Sequence, residues 1–267
     1  MSDDYRVSRR IDEFQRHGLY GFERQRLEAD LPRSSSGAIG KALLRLAQKG
    51  RIRRIRNGYY VIVPIEFSSQ GLPPYDWYLE DLMQALNQPY YVGLLSAAAL
   101  HGAGHQQVQQ LQLVVPRQER PLKSKGLSIR FFRKQAFAAT PIVHLKGHSG
   151  HFPVSTPEAT AFDLIRHARQ LGGLDAVTTV LAELAESMST AGLGTAAAAE
   201  TDATQIQRIG WLLDHLGQTA LADALHHALP ASRPLPRTPL DSTAPRIGRT
   251  HANRWRILEN VQPQSDL

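Results

Sequence analysis

Asn57-Gly58 stands between two β-prone runs, Arg51-Ile52-Arg53-Arg54-Ile55-Arg56 and Tyr59-Tyr60-Val61-Ile62-Val63, a pattern that admits little besides a tight antiparallel hairpin. A type I′ turn needs positive φ at both central residues, which asparagine and glycine tolerate best. With a two-residue loop Ile55 faces Tyr60 and Arg54 faces Val61, so alternation does not put every arginine of the first strand on one side. Alternation alone does not assign the outward face of the hairpin.

Three helical signals precede the hairpin. Val7, Ile11 and Phe14 recur at three- and four-residue spacings before His17-Gly18, as in a short helix ended by glycine. A second helix is expected from near Glu23, with Phe22, Leu27 and Leu31 apolar and Pro32 closing it. Ser34-Ser35-Ser36 then offers N-cap hydroxyls for a third, Ser35 to Gln48, with Ile39, Ala42, Leu43, Leu46 and Ala47 as its apolar stripe. Three helices followed by a two-stranded wing is the order of a winged helix-turn-helix, whose last helix enters the major groove while the wing lies along phosphates. Residue types suit those roles: Ser34, Ser35 and Ser36 as donors to phosphate or base, Lys41 and Arg45 for the groove, and Arg51, Arg53, Arg54, Arg56 and Asn57 for the backbone.

Charge is distributed to match. Residues 1–66 carry a net +6 and residues 67–156 a net +4, whereas residues 157–230 carry −6 and the remainder +3. A basic front and an acidic helical back suit a chain that presents one end to a polyanion. Cysteine is absent, which excludes disulfides, zinc–thiolate sites, iron–sulfur clusters and a thiol nucleophile. Met1-Ser2-Asp3-Asp4 is acidic where a secretory signal is basic. The most apolar stretch, Val92 to Leu100, is far short of the roughly 20 residues that cross a bilayer. A soluble cytoplasmic protein is the expectation.

The segment Gly50-Arg51-Ile52-Arg53-Arg54-Ile55-Arg56-Asn57-Gly58-Tyr59-Tyr60 resembles the wing of the AbiEi antitoxins of type IV toxin–antitoxin systems. Tyr91-Val92-Gly93-Leu94-Leu95-Ser96-Ala97-Ala98-Ala99-Leu100-His101-Gly102, Leu113-Val114-Val115-Pro116 and Thr156-Pro157-Glu158-Ala159-Thr160-Ala161-Phe162-Asp163-Leu164-Ile165 resemble successive blocks of that family's second domain, in the same order. The resemblance implies a repressor of its own operon that binds upstream repeats, and a second domain that counters a nucleotidyltransferase-like toxin encoded next door.

The expected fold is α+β: an N-terminal winged helix-turn-helix domain (1–66), a linker (67–74) with Ser-Ser-Gln-Gly and two prolines, a larger mixed α/β domain ending in a helical bundle (75–230), and a Pro/Arg-rich tail (231–267). Helices are expected from Trp77 to Leu86 and Gly93 to His101. Strands follow at Leu111 to Val115, Leu127 to Arg133 and Ile142 to Lys146, then a turn bracketed by Pro153 and Pro157. Thr156-Pro157-Glu158 announces a further helix, and Ile206 to Leu216 and Thr219 to Leu229 two more. Ser187 to Thr204, rich in Ala, Gly, Ser and Thr, reads as a mobile inter-helix loop. Arg254 to Glu259 is either a docked strand or a loose basic arm.

Other chemistries find weaker support. His144, His148 and His151, or His101 with His105, are the most metal-like groups, but His148 to His151 spans a Gly-Ser-Gly loop that offers no helical face for chelation. Glu80-Asp81 and Glu158 with Asp163 fit exposed helical faces or first-turn charges better than nuclease carboxylates. Gly37-Ala38-Ile39-Gly40-Lys41 lacks the Walker Ser/Thr, where Ala42 stands. Tyr75, Trp77, Tyr78, Tyr90, Tyr91, Phe131 and Phe132 read as core or junction aromatics. The expectation is therefore a DNA-binding antitoxin and autorepressor, not an enzyme, with no cofactor, no metal and no membrane partner. An orphan regulator with a ligand- or partner-sensing second domain, or an enzyme acting on nucleic acid, are the alternatives.

Overall fold

The computed structural model describes residues 2–104, 110–229, 235–248 and 253–264. Its contacts gather into two compact units, Met1–Tyr90 with Arg117–Arg133 and His144–Phe152, and Tyr91–Pro116 with Lys134–Val143 and Pro153–Leu267. In chain order the elements are α1 (Asp3–Arg16), β1 (Gly21–Glu23), α2 (Arg24–Asp30), α3 (Ser36–Gln48), β2 (Ile52–Arg56), β3 (Tyr59–Ile62), α4 (Leu79–Ala85), β4 (Tyr91–Val92), α5 (Leu94–Leu100), β5 (Leu111–Val115) and β6 (Leu122–Ser124). There follow β7 (Leu127–Arg133), β8 (Ile142–Gly147), β9 (Gly150–Ser155), α6 (Pro157–Arg166), α7 (Leu174–Ala185), α8 (Thr190–Ala199), α9 (Ala203–His215), α10 (Thr219–Ala228), β10 (Thr238–Pro239) and β11 (Ile257–Leu258). Helices and strands intermix along the chain, an α+β fold.

In the first unit, α1 buries Val7, Ile11 and Phe14 and packs on α3, which buries Ile39, Ala42 and Leu43. α1 starts ahead of its apolar stripe because the Ser2 hydroxyl caps it by accepting from the Tyr5 amide, and Asp3 and Asp4 complement the helix dipole in its first turn. α2 starts where expected, with Glu23 at its N-cap position, and Phe22 precedes it. Phe22 lies in β1, which pairs antiparallel with β3 (Phe22↔Tyr60) and completes a sheet of order β1-β3-β2. Gly21 is required there, since a Cβ would fall 1.9 Å from the Tyr59 hydroxyl.

The hairpin forms where Asn57-Gly58 places it, with a different register. Only Gly58 takes positive φ (+79°), so the turn is not type I′. The mismatch in strand twist is taken up by a bulge at Ile55: Arg56 pairs with Tyr59, Arg54 with Tyr60 and Arg53 with Val61. The extra residue lets Ile52 and Ile55 both turn inward while Arg54 and Arg56 stay exposed.

The boundaries of the compact units differ from those expected at 66 and 74. Gly71, Leu72 and Pro73 are buried, and Leu72 lies against the β6–β7 turn at Gly126. Burial of these apolar groups holds the segment within the first unit, which also includes α4, packed on β1, and the antiparallel pair β6–β7.

In the second unit β4 pairs antiparallel with β5 (Tyr91↔Val114) and parallel with β9 (Val92↔Val154). Residues 150–155, read from sequence as loop and turn, form the strand β9. Pro153 sits in it. The expected loop over Ser187 to Thr204 is largely the helix α8. Ser189 caps it, alanine favours it, and Leu193, Ala196 and Ala197 are buried, with α8 packed on α6 and α10. Gly192 serves close approach rather than mobility, because a Cβ there would lie 2.3 Å from a Glu158 carboxylate oxygen. Near the end of the chain, β10 and β11 pair in parallel and Trp255 is fully buried against Gly210 of α9. Its indole donates to Asp214 at 2.6 Å while Arg254 pairs with Asp214 and Asp223. This segment is docked.

Candidate nucleic-acid interface

α3 shows solvent a face made of Ser36, Gly37, Lys41, Leu44, Arg45 and Gln48. Its apolar residues at 39, 42 and 43 face α1, so helical period alone assigns the outer ridge. Several of the side chains expected to meet DNA have duties inside the protein. The Ser34 hydroxyl donates to Asp3 Oδ1 at 2.6 Å, and Ser35 caps α3 by accepting from the Ala38 amide at 3.2 Å. Ser36 Oγ donates to Glu28 Oε1 at 2.7 Å and accepts from Arg24 Nη2 at 2.6 Å. Arg24 also bonds the Ser36 carbonyl at 2.8 Å and pairs with Glu28 at 2.8 Å. Ser36 and Arg24 hold the Glu28 carboxyl below the usual carboxylate range. Arg45 pairs with Asp4, and Arg51 with Asp12.

The hairpin arginines divide by parity about the bulge. Arg53 is half-buried beside Gly71, and its Nε is buried without a hydrogen-bond partner among the described residues. Arg54, Arg56 and Asn57 are exposed at the hairpin tip, and Lys41 on α3 is exposed too; none of the four has a side-chain partner among the described residues. Arg33 and Lys49, not singled out from the sequence, are exposed at the two ends of α3. Ion pairs compete directly with phosphate for a guanidinium, so unpaired exposed cations are the ones available to a polyanion at no prior cost. The Arg24–Glu28 pair was also missed, although its i,i+4 spacing was readable.

The second unit holds a buried polar cluster that sequence reasoning misplaced. Asp163, expected on an exposed face, is 1% exposed; its Oδ1 accepts from Lys134 Nζ at 2.8 Å and its Oδ2 from the Tyr91 hydroxyl at 2.8 Å. Burial, and then the Asp163 charge, push the Tyr91 phenol well above its usual range. α6 carries a buried ionic residue because Tyr91, at the start of β4, and Lys134 supply partners far from it in sequence. Glu158 is a first-turn acid as expected, but buried, accepting from the Ser189 amide at 2.9 Å.

His144, His148 and His151 are all exposed; the His148 ring stacks on Trp77 with centroids 3.6 Å apart. His101 bonds the Ser155 carbonyl, and His105 lies outside the described residues. Among the described residues no group of three or more metal-ligating side chains comes together. Tyr78, Tyr90, Tyr91, Phe131 and Phe132 are buried, while Tyr75 and Trp77 are half-buried. No described helix is long and apolar enough to cross a membrane.

Residues 91–215 match the family model of the AbiEi antitoxin C-terminal domain. Over this span, a little under half of its length, the chain is similar to the AbiEi antitoxins. The crystal structure of the RV2827C protein from Mycobacterium tuberculosis is similar in fold, with a TM-score of 0.65 over 94% of this chain and 90% of that one at 17% identity. An antigenic nucleotidyltransferase-like protein from Paracoccidioides brasiliensis overlaps 55% of this chain and 88% of its own at 12% identity, with a TM-score of 0.34. No curated protein sequence matches the chain.

Proposed function

We propose that this protein is the antitoxin and transcriptional autorepressor of a type IV toxin–antitoxin system, acting in the cytoplasm without catalysis of its own. The order α1-β1-α2-α3-β2-β3 supports a winged helix-turn-helix, with α3 for the major groove and the β2–β3 hairpin as the wing. The observation that carries the DNA-binding reading is the set of exposed, unpartnered cations Lys41, Arg54 and Arg56 on those two elements. Ser34, Ser35, Ser36, Arg45, Arg51, Arg53 and Asn57 support that surface, the serines and Arg51 chiefly by holding it in shape. The antitoxin reading rests on the family match over 91–215, and the partner it implies is a nucleotidyltransferase-like toxin.

Fluorescence anisotropy on the DNA upstream of the gene and on scrambled DNA, at two salt concentrations, tests the first part. Preference for the upstream fragment that survives the higher salt supports autorepression; equal, salt-erased binding to both refutes it. Co-expression with the product of the neighbouring reading frame tests the second. Rescue of growth supports the antitoxin role, and specific DNA binding without rescue leaves an orphan regulator.

A further inference from the structure

The proposed DNA contact leaves open which side chains read bases, and the geometry narrows it. Of the polar residues at and along α3, Ser34 and Ser36 are committed to Asp3, Glu28 and Arg24, Ser35 to the helix cap, and Arg45 in the last turn to Asp4. What remains of the exposed face ahead of Gln48 in the last turn is a single ridge, Gly37, Lys41 and Leu44, at i, i+4 and i+7. A Cβ at Gly37 would meet nothing within 4 Å, so glycine is not demanded by the protein's own packing there. Leu44 is 60% exposed beside Lys41 and Arg45. A bare leucine between two cations is poorly placed for a protein core and well placed for a major groove, where the only apolar feature of a base edge is the C5 methyl of thymine.

We infer that base reading falls to the Gly37–Lys41–Leu44 ridge, with Leu44 packed on a thymine methyl. This rests on the DNA-binding reading above. In this arrangement Gly37 admits close approach of the helix amino end to the duplex, and Lys41, one turn before Leu44, reaches acceptors on a neighbouring base pair, guanine O6 and N7 being its best match. The inference thus names a recognition step containing an A·T pair whose thymine contacts Leu44.

The test replaces each thymine of the upstream fragment in turn by deoxyuridine, which removes the methyl and nothing else. Binding is read by competition anisotropy for the full-length wild type, Leu44→Ala and Leu44→Met. The wild type should lose about fourfold in affinity at one thymine per site, as burial of one methyl is worth. Leu44→Ala should bind the thymine and deoxyuridine forms equally at that position, and Leu44→Met should keep the discrimination. Circular dichroism confirms that the variants fold, as expected for an exposed position. A flat deoxyuridine scan for the wild type, or the same loss in Leu44→Ala as in the wild type, overturns the inference while leaving DNA binding intact. If the wild type does not prefer the upstream fragment over scrambled DNA, both readings fall together.

Discussion

Asp163→Asn should unfold the second unit more readily than any exposed charge change. Asp163 and Lys134 are 1% and 7% exposed, and the carboxylate is held by two bonds of 2.8 Å, from Lys134 and from Tyr91. Asparagine can still accept from Tyr91, but it leaves the Lys134 ammonium buried without its counter-charge. Removing one partner of a buried pair costs about 3–5 kcal/mol, and for a unit of this size that lowers Tm by about 10 °C. Because the loss comes from an orphaned charge and not from the pair's own strength, Lys134→Met with Asp163→Leu should recover most of it. The two single variants and the double, followed by thermal circular dichroism and by calorimetry, give the comparison. A shift under about 2 °C for Asp163→Asn would mean that water reaches Lys134. A double variant as unstable as the single would show that the pair itself supplies the stability. Since α6 lies within the span that matches the antitoxin-domain model, the single variant should, on the proposed function, also lose protection in the co-expression assay at raised temperature before it loses DNA binding.

Arg54→Ala with Arg56→Ala should flatten the log–log salt dependence of DNA binding by about two units, nearly one for each phosphate that the hairpin no longer neutralises; an unchanged slope in the folded double variant would remove the hairpin from the interface. Asp81 is pushed up to about 6 by burial, against a pull from Arg26, so the folded state disfavours its charge. Asp81→Asn should therefore stabilise the protein at pH 8 by about 1–2 kcal/mol, with the gain fading as pH falls through about 6 and gone near 4; urea titrations across that range showing a constant difference would contradict this. At Gly210, an added Cβ would lie 2.2–2.4 Å from three ring carbons of Trp255. Gly210→Ala should displace the indole, cost about 1–3 kcal/mol and red-shift tryptophan emission in a Trp77→Phe, Trp211→Phe background, and an unmoved spectrum would show that α9 yields instead.

Much of the local structure was legible because it depends on neighbours in sequence. Thr156-Pro157-Glu158 announced α6 and its cap forms as expected, Thr156 accepting from the Ala159 amide. The stripes at 7, 11, 14 and at 39, 42, 43 became buried faces, and the hairpin turned at Asn57-Gly58. Sequence also carried the resemblance to the AbiEi antitoxins: the blocks at 91–102, 113–116 and 156–165 fall within the matched span. Misreadings arose where a distant residue decided the outcome. The Ala/Gly-rich segment at 187–204 is helical because α6 and α10 bury Leu193, Ala196 and Ala197. Its glycine at 192 marks the approach of Glu158, which composition cannot reveal.

The same division holds for the candidate interface. Sequence alone determined that the first sixty-six residues are basic and that the arginines cluster on one strand, since charge and β-alternation are properties of the chain itself. Tertiary structure decided which of those charges are free. Asp3, Asp4 and Asp12 on α1 claim Ser34, Arg45 and Arg51, and a one-residue bulge sends Arg54 and Arg56 outward while Arg53 turns toward Gly71. An ion pair forms wherever packing brings opposite charges within reach, whatever their separation along the chain, and that geometry is fixed only once α1 lies on α3.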